Sequence, residues 1–195
     1  SSNPDQVSPD LYFFKDYSKV NKMKLYNTAS RQKEEFIPLV EGRVGIYVCG
    51  VTVYDHSHIG HARSAIVFDI LVKYFRSRGM DVIYVRNFTD VDDKIINRAN
   101  ELGKAPAALA QEYIDSFYED MEALYVMKPD LEPRATEHIN GMIEMINLLI
   151  SKGFAYEVDG DVFYAVEKLD DYGRLSGRKL DEMKAGSRID INDKK

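Results

Sequence analysis

Residues 43–63, RVGIYVCGVTVYDHSHIGHAR, hold three of the four histidines of the chain and its single cysteine. Val44, Ile46 and Val48 alternate in a short β-branched run, Gly50 breaks the pattern, and an apolar-periodic segment begins near Gly60. That order predicts strand, loop, helix. His56, His58 and His61 then sit in the loop and at the helix start, with Cys49 at the strand end. In an open α/β sheet, the carboxyl end of a strand facing a helix N-terminus attracts anions, because free N–H groups and the helix dipole point at them. A phosphate held there would meet backbone N–H groups and the imidazoles of His58 and His61. Gly60 would let a flat base or a phosphate approach the main chain. The plainer alternative is that these histidines cap and line a loop.

Other chemistries compete for the same residues. H-S-H-I-G-H resembles the H-x-H-x-D-H zinc cluster of metallo-β-lactamase-like hydrolases, with Gly60 at the aspartate position. Cys49 taken alone reads as a small buried hydrophobe, since zinc needs about four donors and the chain has no second cysteine. Asp90, Asp92 and Asp93 offer oxygens to a magnesium ion, and D-x-D-D resembles a motif of terpene cyclases. The preferred reading of the string is a helix cap, with Asp92 or Asp93 closing a helix to about Leu102.

The elements around these residues follow from periodicity. A helix is predicted over about 60–78, apolar on most of its surface and therefore largely buried. Arg63, Asp69, Lys73 and Arg76 form one charged stripe within an arc of roughly 140°. Gly79 is the expected C-terminal cap, and VIYVRNF (82–88) the next strand, giving a parallel βαβ unit. Further helices are expected over about 106–124 and, capped by Thr136, through Ile139, Met142, Ile143, Ile146, Leu149 and Ile150 to Gly153. Phe154 to Val158 and 161–166 read as a hairpin around Asp159 and Gly160. Residues 23–41 read as a short strand and loop.

The composition, 45% hydrophobic and 30% charged over 195 residues, is that of an ordinary globular protein. No apolar run approaches a membrane span, and a cytoplasmic protein without an internal disulfide is expected. A net charge of -6 excludes a broadly basic surface but not a local basic patch. Residues 1–22, with two early prolines and no clear periodicity, read as a tag remnant, a leader or a docking extension, poorly ordered. The segment after Tyr172, with a short piece at 180–184, reads as a chain cut before a domain ending.

Taken together, YVCGVTVYDHSHIGHAR, YVRNFTDVDDKIINRA, PRATEHI, KGFAY and YGRLSGRKLDEMKAGSR resemble the N-terminal half of the cysteinyl-tRNA synthetases, a class I aminoacyl-tRNA synthetase family. The resemblance runs from Lys24 to the end. It implies an α/β fold: a Rossmann-type half-domain over 23–131, then the start of an α+β connective-peptide module over 132–195. It implies ATP, with Mg2+, as a substrate, L-cysteine as the amino acid, and tRNA(Cys) as the acceptor, in a monomer. His58 and His61 match the histidines that bind ATP and stabilise phosphate charge, and Gly60 the glycine against which adenine packs. Cys49 matches a ligand of a catalytic Zn2+, and Gly50 and Thr89 match residues near the bound cysteine. Val51 replaces the proline common there. The other zinc ligands, the KMSKS loop and the anticodon-binding domain belong to the family's second half and do not occur in the sequence. A mycothiol cysteine ligase, or a non-catalytic ATP-binding fragment, is the alternative.

Overall fold

The computed structural model describes residues 23–178. The expected leader and the segment at 180–184 lie outside them. Among the described residues, one unit is built from Met23 and 35–137, the other from 24–34 and 138–178.

The first unit starts on β3 (Arg43–Val48), which pairs in parallel with β4 (Asp81–Arg86) in the register Val44↔Val82 to Val48↔Arg86. The crossover between them is α1 (Ile59–Ser77). A third parallel segment flanks β4 through bridges from Leu131 to Val85 and from Arg134 to Phe88. Two apolar clusters hold these layers. Val44, Val72, Phe75, Val82 and Tyr84 pack the C-terminal part of α1 against β3 and β4. Ala62, Phe88, Ile95, Ile114 and Phe117 join the N-terminal part of α1 to α2 (Asp93–Leu102) and α3 (Pro106–Ala123) in a second cluster.

Helix α1 corrects one expectation. It buries one face, through Ala62, Ala65, Asp69, Val72 and Phe75, while Val67 and Ile70 stay exposed, so it is not largely buried. Asp69 is not on the solvent stripe: it lies where the charged and buried arcs overlap, and it is buried. Its carboxylate accepts the Met127 N–H at 3.0 Å and the Lys73 ammonium at 2.7 Å, which offsets its loss of water. The helix ends as expected: Gly79, at φ +78°, lets the Met80 N–H reach Phe75 O and its own reach Arg76 O. Under the sheet, Arg86 and Glu132 form a buried ion pair at 2.7 Å, joined by the Tyr118 hydroxyl, which donates to Glu132.

The second unit contains β1 (Lys24–Asn27) and all but the last residue of β2 (Gln32–Glu35), a hairpin where one strand and loop were expected. QKEE is polar and exposed on both faces, so it carries no alternation to read. α4 (Ile139–Ser151) forms as expected, but Thr136 does not cap it; His138 stands at the N-cap without a side-chain bond. Thr136 instead donates through both N–H and hydroxyl to buried Asp90, at 3.0 and 2.6 Å, within the first unit. The hairpin of β5 (Ala155–Val158) and β6 (Asp161–Tyr164) turns on Asp159 and Gly160, both with positive φ.

Candidate functional site

The residues singled out by sequence lie where β3 and β4 end. Past Val48↔Arg86 the two chains separate, then pair again at Thr52↔Thr89, with the Thr89 N–H donating to Val51 O at 3.1 Å. Thr89 is therefore half-buried and committed through its main chain to the loop. Gly50 donates its N–H to Asn87 Oδ1 at 2.7 Å. Cys49 is exposed, not the buried hydrophobe its type suggested, because it continues the outward face of Gly45 and Tyr47.

His58 is the N-cap of α1. Its Nδ1 accepts the Gly60 N–H at 3.0 Å, and the His61 Nδ1 accepts the His58 N–H at 3.2 Å, a reciprocal cap made of two imidazoles. A neutral imidazole that accepts through Nδ1 carries its proton on Nε2. Both rings thus present Nε2–H donors, stacked with centroids 3.9 Å apart. This corrects one element of the expected anion site: the N–H groups of Gly60, His61 and Ala62 are already bonded to His58. The imidazoles join the Ile59 N–H as the donors left at this helix start.

Gly60 serves that arrangement. A Cβ there would lie 2.8 Å from His58 Cε1 and 2.9 Å from Nδ1, so the ring occupies the space a side chain needs. Gly60→Ala is expected to leave stability nearly unchanged, since alanine gains up to about 1 kcal/mol in helix propensity while the lost cap costs about as much. Displacing the ring should cost any chemistry that uses it ten- to a hundredfold. Thermal unfolding and a rate measurement on one preparation check both parts.

The cap also sets a pH dependence. Burial first, then the neighbouring His58, holds His61 below the ordinary histidine range. A pKa lower in the folded than in the unfolded state means protons favour unfolding. Stability from this group is complete above about pH 6.5 and is lost as pH falls toward the depressed value. The difference in melting temperature between wild type and His61→Gln, which accepts the same bond without titrating, should shrink or reverse on going from pH 8 to pH 5.5.

His56 is directed elsewhere: its Nδ1 lies 3.1 Å from Ser116 Oγ, and its ring meets Tyr113 edge-on on α3. Among the described residues, no three His, Cys, Asp or Glu side chains converge as metal ligands. The three histidines therefore do not form the hydrolase-type zinc cluster. Of the acidic string, Asp92 caps α2 by accepting the Lys94 N–H at 2.9 Å, as expected, and Asp90 holds Thr136. Sequence reasoning missed Asn87 and Ser116, single polar residues with no periodic or motif signal.

A family model for the class I (C) tRNA synthetase catalytic domain matches residues 35–195. The chain is 58% identical over 173 residues to a cysteine–tRNA ligase of Syntrophobacter fumaroxidans, covering 89% of this chain and 35% of that one. It is 53% identical over 176 residues to one from Geobacillus thermodenitrificans, covering 90% and 38%. The chain thus spans little more than a third of the length of the curated relatives it matches. Mycobacterium tuberculosis methionyl-tRNA synthetase, solved with methionyl-adenylate, superposes with a TM-score of 0.52 at 26% identity, over 57% of this chain and 23% of that one. The Agrobacterium radiobacter K84 agnB2 LeuRS, in a ternary complex with tRNA and LeuAMS, shares the fold at 22% identity and a TM-score of 0.53, over 72% and 17%.

Proposed function

The chain belongs to the class I (C) tRNA synthetase catalytic domain family, and on that premise we propose that it supplies the nucleotide-handling half of a cysteine–tRNA ligase. In this reading, 23–131 is the first half of a Rossmann-type domain and 132–195 the start of a connective-peptide module. The whole enzyme joins L-cysteine to ATP and passes the cysteinyl group to the 3′ end of tRNA(Cys), as a monomer in the cytoplasm. Among the described residues no helix is long and apolar enough to cross a membrane.

The observation that carries the proposal is the imidazole cap. The cysteine carboxylate attacks the α-phosphorus of ATP, the bond to the bridging oxygen breaks, and pyrophosphate leaves. Negative charge builds on the α-phosphoryl oxygens during that step, and Nε2–H donors fixed before the charge appears stabilise it at little reorganisation cost. His58 and His61 are such donors, and Gly60, taken here as the glycine against which adenine packs, leaves the His58 ring its place. Gly50 and Thr89 line the amino-acid side through their main chains. Cysteine-dependent exchange of pyrophosphate into ATP, by a ligase carrying this segment, tests the reading; exchange driven equally by serine or methionine would defeat it.

Zinc is the family's expected metal, and Cys49 offers one exposed soft donor for it. The described residues add no others to make a four-donor site. After dialysis against a mild chelator, this chain is expected to retain far less than one equivalent of zinc, with Cys49→Ala changing nothing. Stoichiometric zinc lost in Cys49→Ala would reveal a complete site.

A further inference from the structure

Between Val48↔Arg86 and Thr52↔Thr89, β3 advances four residues while β4 advances three. One extra residue is therefore accommodated in the 49–51 segment, a bulge of the kind that re-aims side chains beside sites and leaves ladder groups without main-chain partners. Asn87 supplies the missing partner: its side-chain Oδ1 accepts the Gly50 N–H at 2.7 Å and the Tyr47 hydroxyl at 3.1 Å. The same residue's backbone carbonyl lies against Gly50, since a Cβ on Gly50 would lie 1.5 Å from Asn87 O. Gly50 is thus clamped by the side chain and main chain of one residue.

We propose that Asn87 is a positioning residue for the amino-acid half of the site. Its carboxamide stands in for a ladder carbonyl, locks the bulge, and so fixes the direction in which Cys49 leaves the sheet. The proposal rests on the ligase reading for its catalytic consequence, but the fixed direction of Cys49 is a property of the chain itself.

Two readouts separate these levels. Cys49 is the single cysteine, so a trifluoromethyl ketone reagent labels it alone, and 19F NMR of the chain reports its order. Wild type and Asn87→Asp, which keeps both acceptor bonds, should each give one narrow resonance; Asn87→Leu should give a shifted or multiple signal. In a ligase carrying the segment, Asn87→Leu should raise KM for cysteine at least tenfold, about the loss of one buried hydrogen bond, with KM for ATP within twofold. Asn87→Asp should restore cysteine KM to within about threefold of wild type. If Asn87→Leu does not fold, Tyr47→Phe, which frees one bond to the exposed side of the amide, should show the same 19F change in milder form. An unchanged 19F signal in these variants overturns the positioning role. A changed signal with cysteine and ATP KM rising together overturns its restriction to the amino-acid half. Absence of exchange activity in every protein, wild type included, would instead sink the ligase reading and leave the 19F result to decide the clamp.

Discussion

Gly50→Ala is expected to lower the stability of the chain by about 3 kcal/mol or more, the range of substitutions that force packed backbone apart. A methyl group at this position would overlap the Asn87 carbonyl oxygen at 1.5 Å and its carbon at 2.7 Å. No side-chain rotation relieves that overlap, because both atoms are main chain. The strand ends must separate, and the Gly50 bond to Asn87 and the Thr89 bond to Val51 would go with them. For a chain of this size the expected fall in melting temperature is roughly 6–12 °C. Gly45→Ala is the internal control. It lies five residues before Gly50, within β3 and opposite Ile83, with nothing within 4 Å of a Cβ. It should be neutral or slightly stabilising, since glycine within a strand weakens it. Equal melting temperatures for the two variants would show that the strand ends are looser than the geometry requires.

The second large effect is catalytic. Replacing His58 or His61 by alanine should lower the rate of cysteine activation by roughly 10² to 10³, the usual loss for one preorganised donor to a developing oxyanion. Binding of ATP in the ground state should change much less, because the donors act on charge that appears later. The two residues are coupled: each ring holds the other's end of the cap, so the double variant should lose less than the product of the single losses. His56→Ala should be nearly silent, since that ring is engaged with Ser116 and Tyr113. Pyrophosphate exchange on the four proteins checks this. Equal losses at all three histidines would remove the distinction drawn between them.

Much of this arrangement is legible in the residues alone. Strand, loop and helix around 43–63, the glycine stops at Gly79 and Gly153, and the Asp159–Gly160 turn all follow from local rules, because each is decided within a few residues of chain. What escapes is decided across the fold. Asp69 looks like a surface residue until the Met127 N–H reaches it from 58 positions away. Thr136 has the profile of a cap, yet Asp90 takes it, from 46 positions away. Asn87 has no pattern of its own; its role exists because the β3 and β4 registers differ by one residue. α4 shows the converse limit. Its apolar spacing correctly predicts a helix, but Ile143, Met145 and Leu148 remain at least half exposed, because periodicity states which face is apolar and not whether anything covers it. In the site, the H-x-x-H spacing at the helix start pointed to His58 and His61. That their Nδ1 atoms are spent on the cap, leaving Nε2–H outward, needed coordinates.

In the proposed ligase, the two imidazoles at the start of α1 offer Nε2–H donors to the phosphate of the activated amino acid. Long-range 1H–15N spectra of the histidine rings, recorded near neutral pH with and without a non-hydrolysable cysteinyl-adenylate analogue, test it most directly. His58 and His61 should both show the Nε2-protonated tautomer before ligand is added, and their Nε2–H signals should move on binding while those of His56 and His138 stay in place. An Nδ1-protonated tautomer at either capping position, or a ligand that shifts His56 and leaves His58 and His61 unmoved, would contradict the account.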